Sequence, residues 1–259
     1  MNFSTVFLGV IQGVSEILPV SSSVNLHFFS SIFNIAQFSF SLKIALHTGS
    51  LAALLIFFRK EIMNALKGLF CFKSISKTYC MPLILGTAPV IILGFLAKNF
   101  VREFDAPKIL GISSIIFGLL LVAFDKVSGQ IRRKNTIPTK MVSLIVGSFQ
   151  SISIFPGVSR LGICITASRM LKMERKKAIQ FSLLLAIPSI AGSLTLELLE
   201  CYKNRNFGIL FNESSLIGIL TTMITSLIVI HPSIKYMEKR GFVCLAIYRV
   251  IIGALICFL

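Results

Sequence analysis

Charged residues are scarce: 14% of the 259 residues, against 55% hydrophobic ones. A soluble domain carries about 25% charged residues, so the chain has no room for a separate water-soluble domain. Its mean hydropathy of +0.86 points to a single integral membrane unit. Acidic residues are scarcer still, 10 Asp and Glu against 26 Lys and Arg. The six cysteines, Cys71, Cys80, Cys164, Cys201, Cys244 and Cys257, have no CxxC spacing and lie mostly in apolar runs. They read as small hydrophobes, which excludes a disulfide framework or a metal cluster. His27, His47 and His231 show no paired spacing, so zinc chemistry is unsupported. Residues 1–38 hold neither Lys nor Arg, and this opening apolar stretch therefore lacks the basic segment of a signal peptide.

Apolar runs are abundant. A bilayer crossing takes about 17 to 25 residues, and six segments read as full spans: Phe40 to Phe58, Met81 to Ala97, Ile109 to Phe124, Phe181 to Leu199, Ser214 to Ile230 and Phe242 to Leu259. Four basic stretches, Arg59 to Lys77, Lys126 to Lys140, Arg169 to Lys177 and Lys235 to Arg240, hold 18 of the 26 cations. Positive residues favour the cytoplasm, so these four are assigned inside. The loops Lys98 to Lys108 and Glu200 to Glu213 are assigned outside. The net charge of +16 is then mostly topology and implies no nucleic-acid partner.

Two apolar segments cannot alternate in that scheme. Met141 to Ser168 lies between two inside stretches and is broken by Pro156 and Gly157. Met1 to Phe38 is broken by Pro19 and precedes a span that must run inward to reach Arg59. Both are expected to dip into the membrane and return. The two also match each other. Gly9-x-x-Gln12 with Pro19-Val20-Ser21-Ser22 recurs as Gly147-x-x-Gln150 with Pro156-Gly157-Val158-Ser159; Phe40-Ser41-Leu42 recurs as Phe181-Ser182-Leu183, and Gly49-Ser50-Leu51 as Gly192-Ser193-Leu194. The copies run in opposite directions. The expected fold is an all-α polytopic membrane protein of six full transmembrane helices plus two re-entrant helical hairpins. It forms an inverted-topology repeat, residues 1–125 and 141–259, within one membrane domain covering 1–259. Such repeats place a polar site near the bilayer midplane.

Of the ten acidic residues only Glu16 sits inside an apolar stretch, four residues after Gln12 and so on the same helical face. A carboxylate at membrane depth costs at least about 2.5 kcal/mol, and such residues mark functional interiors; the alternative is a Glu that caps a re-entrant turn. Arg160 is the matching cation at the second break, where Gly157 and Gly162 let backbone approach a ligand. With Ser159 at a helix start, free N–H groups and a planar guanidinium, it makes an anion site suited to phosphate. Alternatively Arg160 pairs with Glu16, and both can hold. Lys43, early in its span, reads as snorkelling, and Arg249 as a structural contact between helices.

Gln12-Gly13-Val14-Ser15-Glu16-Ile17-Leu18-Pro19-Val20-Ser21-Ser22-Ser23 resembles the Glu/Gln-x-x-x-Glu plus Pro-Val-Ser-Ser motif of the bacterial undecaprenyl-diphosphatases, the bacitracin-resistance family. Pro156-Gly157-Val158-Ser159-Arg160-x-Gly162 resembles its second motif, and the likeness continues through Phe181 to Pro188 and Tyr248-Arg249-x-x-x-Gly253. The resemblance implies an enzyme of the bacterial cytoplasmic (inner) membrane. It would hydrolyse undecaprenyl diphosphate to undecaprenyl phosphate and phosphate, recycling the carrier for peptidoglycan synthesis and conferring bacitracin resistance. It also implies catalytic roles for Glu16, Ser22 and Arg160. Substrate contacts fall to Gln12, Ser21, Ser23, Asn25, Gly157, Ser159 and Gly162. A divalent cation, Mg or Ca, would sit at Glu16 and relieve the repulsion between this carboxylate and the substrate. The partners implied are a polyprenyl diphosphate and membrane lipids, with room for a homo-oligomer.

The chain departs from the family at three places. Val24-Asn25 replaces Gly-His, Leu161 replaces a serine, and Cys164 replaces a hydroxyl residue, so a family histidine able to carry protons is missing. A degenerate family member that binds the lipid diphosphate without hydrolysing it is one alternative reading, and a lipid flippase or transporter, which uses the same inverted-repeat architecture, is another.

Overall fold

The computed structural model of the chain describes residues 2–35, 39–70, 79–101, 106–129, 137–203 and 212–258. Among these all regular structure is helical: α1 (Asn2–Ile17), α2 (Ser22–Ile32), α3 (Phe40–Phe57), α4 (Arg59–Phe70), α5 (Cys80–Val101), α6 (Pro107–Ser128), α7 (Lys140–Gln150), α8 (Arg160–Met170), α9 (Arg175–Lys203), α10 (Glu213–Arg240) and α11 (Val243–Phe258), with a 3-10 turn at Ser151–Ile154. Cys71, Glu103, Asp105, Asn206 and much of the basic and outer loops lie outside the described residues.

Five helices, α3, α5, α6, α9 and α10, are long and apolar enough to cross a membrane. The sixth expected span is α11, whose 16 residues fall below a comfortable crossing length. The helices also run past the apolar segments. α9 begins at Arg175 and α10 ends at Arg240, taking up cations expected in loops. Lys and Arg are good helix formers, and Lys239 and Arg240 in the last turn of α10 suit the negative end of its dipole. Residues 59–70, expected as basic loop, form α4 for the same reason.

The interior is organised around α3 and α9. Half of the apolar window of α3 and 44% of that of α9 are buried, against 22% for α5 and 28% each for α6 and α10. A cluster of Ile17, Leu54, Leu121, Leu161, Ile165 and Leu183 joins α1, α3, α6, α8 and α9. Around it α1 packs on α10, α5 on α7, α3 on α10, α5 on α9, and α6 on α11. The last pair crosses closely. A Cβ on Gly111 would run into the Gly253 carbonyl, and a Cβ on Gly253 into that of Gly111.

One group of cations is placed differently from its expected role in orientation. Arg169 is 1% exposed, and its Nε donates to Asp125 Oδ1 at 2.8 Å. Arg175 Nη2 donates to Asp125 Oδ2 at 2.8 Å, and Arg169 Nη2 to the Gly129 carbonyl at 2.7 Å. Asp125, itself 4% exposed, thus ties the end of α6 to the α8–α9 connection. Two cations on one enclosed carboxylate form a structural knot.

Candidate active site

Both proline breaks lead to the same cluster of polar side chains. α1 ends at Ile17, and the chain turns through Pro19 and Val20 before α2 starts at Ser22. Ser21, the residue before α2, has φ 65°, a left-handed conformation that is uncommon for a side chain larger than hydrogen. Its Oγ lies 3.1 Å from Ser23 Oγ. In the second break Gly157 has φ 84°, and a Cβ there would strike the Leu110 carbonyl and Ser113. Glycine is therefore required on both counts. Ser159 then caps α8, accepting from the Gly162 N–H at 3.1 Å.

Arg249 joins the two breaks. Its guanidinium donates to the Pro19 carbonyl at 3.2 Å, the Gly157 carbonyl at 3.3 Å and the Ser114 carbonyl at 3.1 Å. The expected structural role of Arg249 holds, with backbone carbonyls as its partners.

Glu16 is the centre of this cluster. Its Oε2 accepts from Gln12 Nε2 at 3.0 Å and from Ser22 Oγ at 2.9 Å, and its Oε1 lies 3.4 Å from Arg160 Nη2. The expected ion pair between the two breaks is therefore present. The Glu16 side chain is 7% exposed and that of Arg160 is 19%. Two buried atoms here have no hydrogen-bond partner among the described residues: Gln12 Oε1, an acceptor, and Arg160 Nη1, a donor. A buried unpaired polar atom costs about 1 to 3 kcal/mol. The pocket is thus set up for a ligand that brings both an acceptor and a cationic or donating group.

The structure brings Gln12, Glu16, Ser22 and Arg160 together directly. Ser21, Gly157, Ser159 and Gly162 shape the backbone beside them, and Ser23 is exposed at the start of α2. Asn25 faces elsewhere. Its Nδ2 donates to the carbonyls of Val20 at 3.1 Å and Ser21 at 2.8 Å, and its Oδ1 accepts from Tyr248 Oη. Cys164 donates to Gln150 Oε1 at 3.4 Å, and Gln150 Nε2 to the Gly86 carbonyl at 3.1 Å. Leu161 is buried in the core.

His47 belongs to this site and carried no signal in the sequence. Its Nδ1 lies 3.4 Å from Gln12 Nε2, across 35 residues of chain. One helical turn earlier on α3, Lys43 Nζ pairs with Glu197 Oε1 of α9 at 3.5 Å, so this lysine has a partner as well as an exposed stem. Local spacing exposes pairs within one helix, as with Gln12 and Glu16, but not a histidine delivered from another.

Comparison with known proteins shows the family. The family described as Bacitracin resistance protein BacA matches residues 5–255. The chain is 33% identical over 257 residues to an undecaprenyl-diphosphatase of Saccharophagus degradans, covering 96% of this chain and 94% of that protein. It is 32% identical over 261 residues to undecaprenyl-diphosphatase 3 of Bacillus cereus, covering 100% and 98%. It is 35% identical over 236 residues to an undecaprenyl-diphosphatase of Thermosipho africanus, covering 89% and 92%.

Proposed function

The chain belongs to the bacitracin resistance protein BacA family, and from that membership and the Glu16 pocket we propose that it is an undecaprenyl-diphosphatase, a hydrolase. It removes the terminal phosphate of undecaprenyl diphosphate in the bacterial cytoplasmic membrane, returning the carrier to peptidoglycan synthesis and conferring bacitracin resistance. The observation that carries this reading is the meeting of Glu16, Ser22, Gln12 and Arg160, with the unpaired Arg160 Nη1 and Gln12 Oε1 among them.

Phosphoryl transfer needs positioning and charge stabilisation more than covalent work by the protein. Arg160 presents its free Nη1 to the phosphate oxygens, and the start of α8 adds backbone donors and the positive end of its dipole. Ser22 Oγ donates to Glu16, the relation of a hydroxyl nucleophile to its base. Glu16 accepts the proton as a water attacks the terminal phosphorus and gives phosphate directly, or as the Ser22 hydroxyl attacks it, in which case a water then hydrolyses the phosphoserine and returns the proton to Ser22. The bond from phosphorus to the bridging oxygen breaks, and undecaprenyl phosphate leaves with that oxygen. Glu16 and Gln12 Oε1 are hard oxygen donors that would hold a Mg or Ca ion. Such an ion, when bound, offsets the repulsion between Glu16 and the diphosphate and polarises the phosphoryl group.

The finer architecture belongs to the same proposal: six crossings, two re-entrant hairpins and an inverted repeat. It is supported by the packing, since exchanging α1 with α7, α3 with α9, α5 with α10 and α6 with α11 turns the α1–α10 contact into α7–α5, and α3–α10 into α9–α5. The α6–α11 pair maps onto itself, at Gly111 and Gly253.

Phosphate release from undecaprenyl diphosphate by the purified protein tests the reading. Release that requires Mg²⁺ or Ca²⁺, stops with chelator and falls roughly a hundredfold in Arg160→Ala is expected, the scale for losing one transition-state donor. Substrate binding without release above the Arg160→Ala control would make the chain a non-hydrolysing binder. Transport of the lipid without release would make it a carrier.

A further inference from the structure

His47 lies in none of the family-like motifs, yet α3 brings it to the pocket. Its Nδ1 faces Gln12 Nε2, the nitrogen that also donates to Glu16. An amide nitrogen only donates, so Nδ1 is the acceptor. Turning the amide over would set Gln12 Oε1 against Glu16 Oε2, two acceptors at hydrogen-bond distance, so Glu16 fixes the amide and the amide fixes the ring. The imidazole proton is therefore on Nε2. Among the described residues no hydrogen bond to Nε2 is present, and the side chain is only partly enclosed. The charged groups acting on the ring are Glu16 and Glu197 on one side of the balance and Arg160 and Lys43 on the other, two of each sign. Asn25, where the family's motif carries histidine, is fully engaged by Val20, Ser21 and Tyr248.

We propose that His47 is a neutral hydrogen-bond donor to the substrate, its Nε2–H aimed at a non-bridging oxygen of the terminal phosphate and its tautomer held by Gln12. The inference rests on the phosphatase reading of the same pocket. His47 makes and breaks no covalent bond and neither gains nor loses a proton. It supplies a donor aimed at developing charge, as a neutral imidazole can when its other nitrogen is fixed. This assigns Gln12 a positioning role toward α3 in addition to its contact with Glu16.

The test compares His47→Gln, His47→Asn and His47→Leu in the full-length chain in detergent. A glutamine side-chain nitrogen reaches the place of Nε2, whereas that of asparagine reaches only the place of Nδ1. Two quantities are read: equilibrium affinity for inorganic phosphate, the product, and kcat for phosphate release. His47→Gln should stay within about fivefold of wild type in both, while His47→Asn and His47→Leu lose roughly ten- to a hundredfold, the scale of one hydrogen bond to a charged group. Thermal unfolding should be alike for the Gln and Asn variants. Equal losses in all three variants, no loss in any, or an unfolding temperature that follows the same order as activity would overturn the proposal. The phosphatase reading fails separately, when wild-type protein releases no phosphate. Phosphate affinity that still ranks Gln above Asn and Leu would then keep His47 as a donor to a bound phosphate alone.

Discussion

At the residue scale, the departures from the family motif are explained by their neighbours. Asn25 read as a lost histidine, but its amide braces the first break and supports Ser21 in its left-handed conformation. Asn25→Ala leaves the Tyr248 hydroxyl and the Val20 carbonyl without this partner, while the Ser21 carbonyl keeps the backbone N–H of residue 25. It should lower stability by about 1 to 3 kcal/mol, seen as an earlier thermal unfolding, with Tyr248→Phe costing less. Asn25→His should therefore fail to raise turnover, because an imidazole cannot replace an amide that donates twice and accepts once; a higher kcat in that variant would show the brace to be dispensable. Cys164 is similarly a partner of Gln150, the residue that matches Gln12 in the other half of the chain.

At the element scale, three arginines decide how helices meet. Arg249 holds both breaks by their carbonyls, fixing the distance between Ser22 and Arg160 without touching either. Asp125 gathers Arg169 and Arg175 where α6, α8 and α9 come together. Asp125→Asn removes the negative charge from two cations, one of them almost fully enclosed. Breaking a buried pair from one side costs about 3 to 5 kcal/mol. The variant should accordingly unfold earlier, while any folded fraction keeps its phosphate affinity, since the knot shares no residue with the pocket. Unchanged unfolding would show that Arg169 is satisfied by the backbone carbonyls of Asp125, Gly129 and Met173.

At the scale of the whole molecule, the basic stretches make a claim about orientation. A single cysteine placed near residue 206, beyond the described part of α9, should react with a membrane-impermeant thiol reagent added to intact cells. Labelling solely from the cytoplasmic side would reverse the topology and the outward direction of α9. In the proposed inverted repeat the two halves run in opposite directions, so one reversal would turn over both proposed hairpins together.

The amino-acid sequence by itself determined the membrane class, five of the spans, both breaks and the family. Each of these depends on local pattern: apolar run length, charge between runs, and proline or glycine at fixed places. Glu16 and Gln12 were legible for the same reason, lying four residues apart on one helix, and Arg160 because it stands alone beside a break. Only the tertiary structure decided the rest. It took Asn25 out of the pocket and gave it to Tyr248, brought His47 in from α3, and enclosed Arg169 where a loop cation was expected. These outcomes depend on which helix faces which. That is set by close packing between elements far apart in sequence, such as the crossing of Gly111 and Gly253 and the grip of Arg249 on two distant carbonyls. No local pattern contains it.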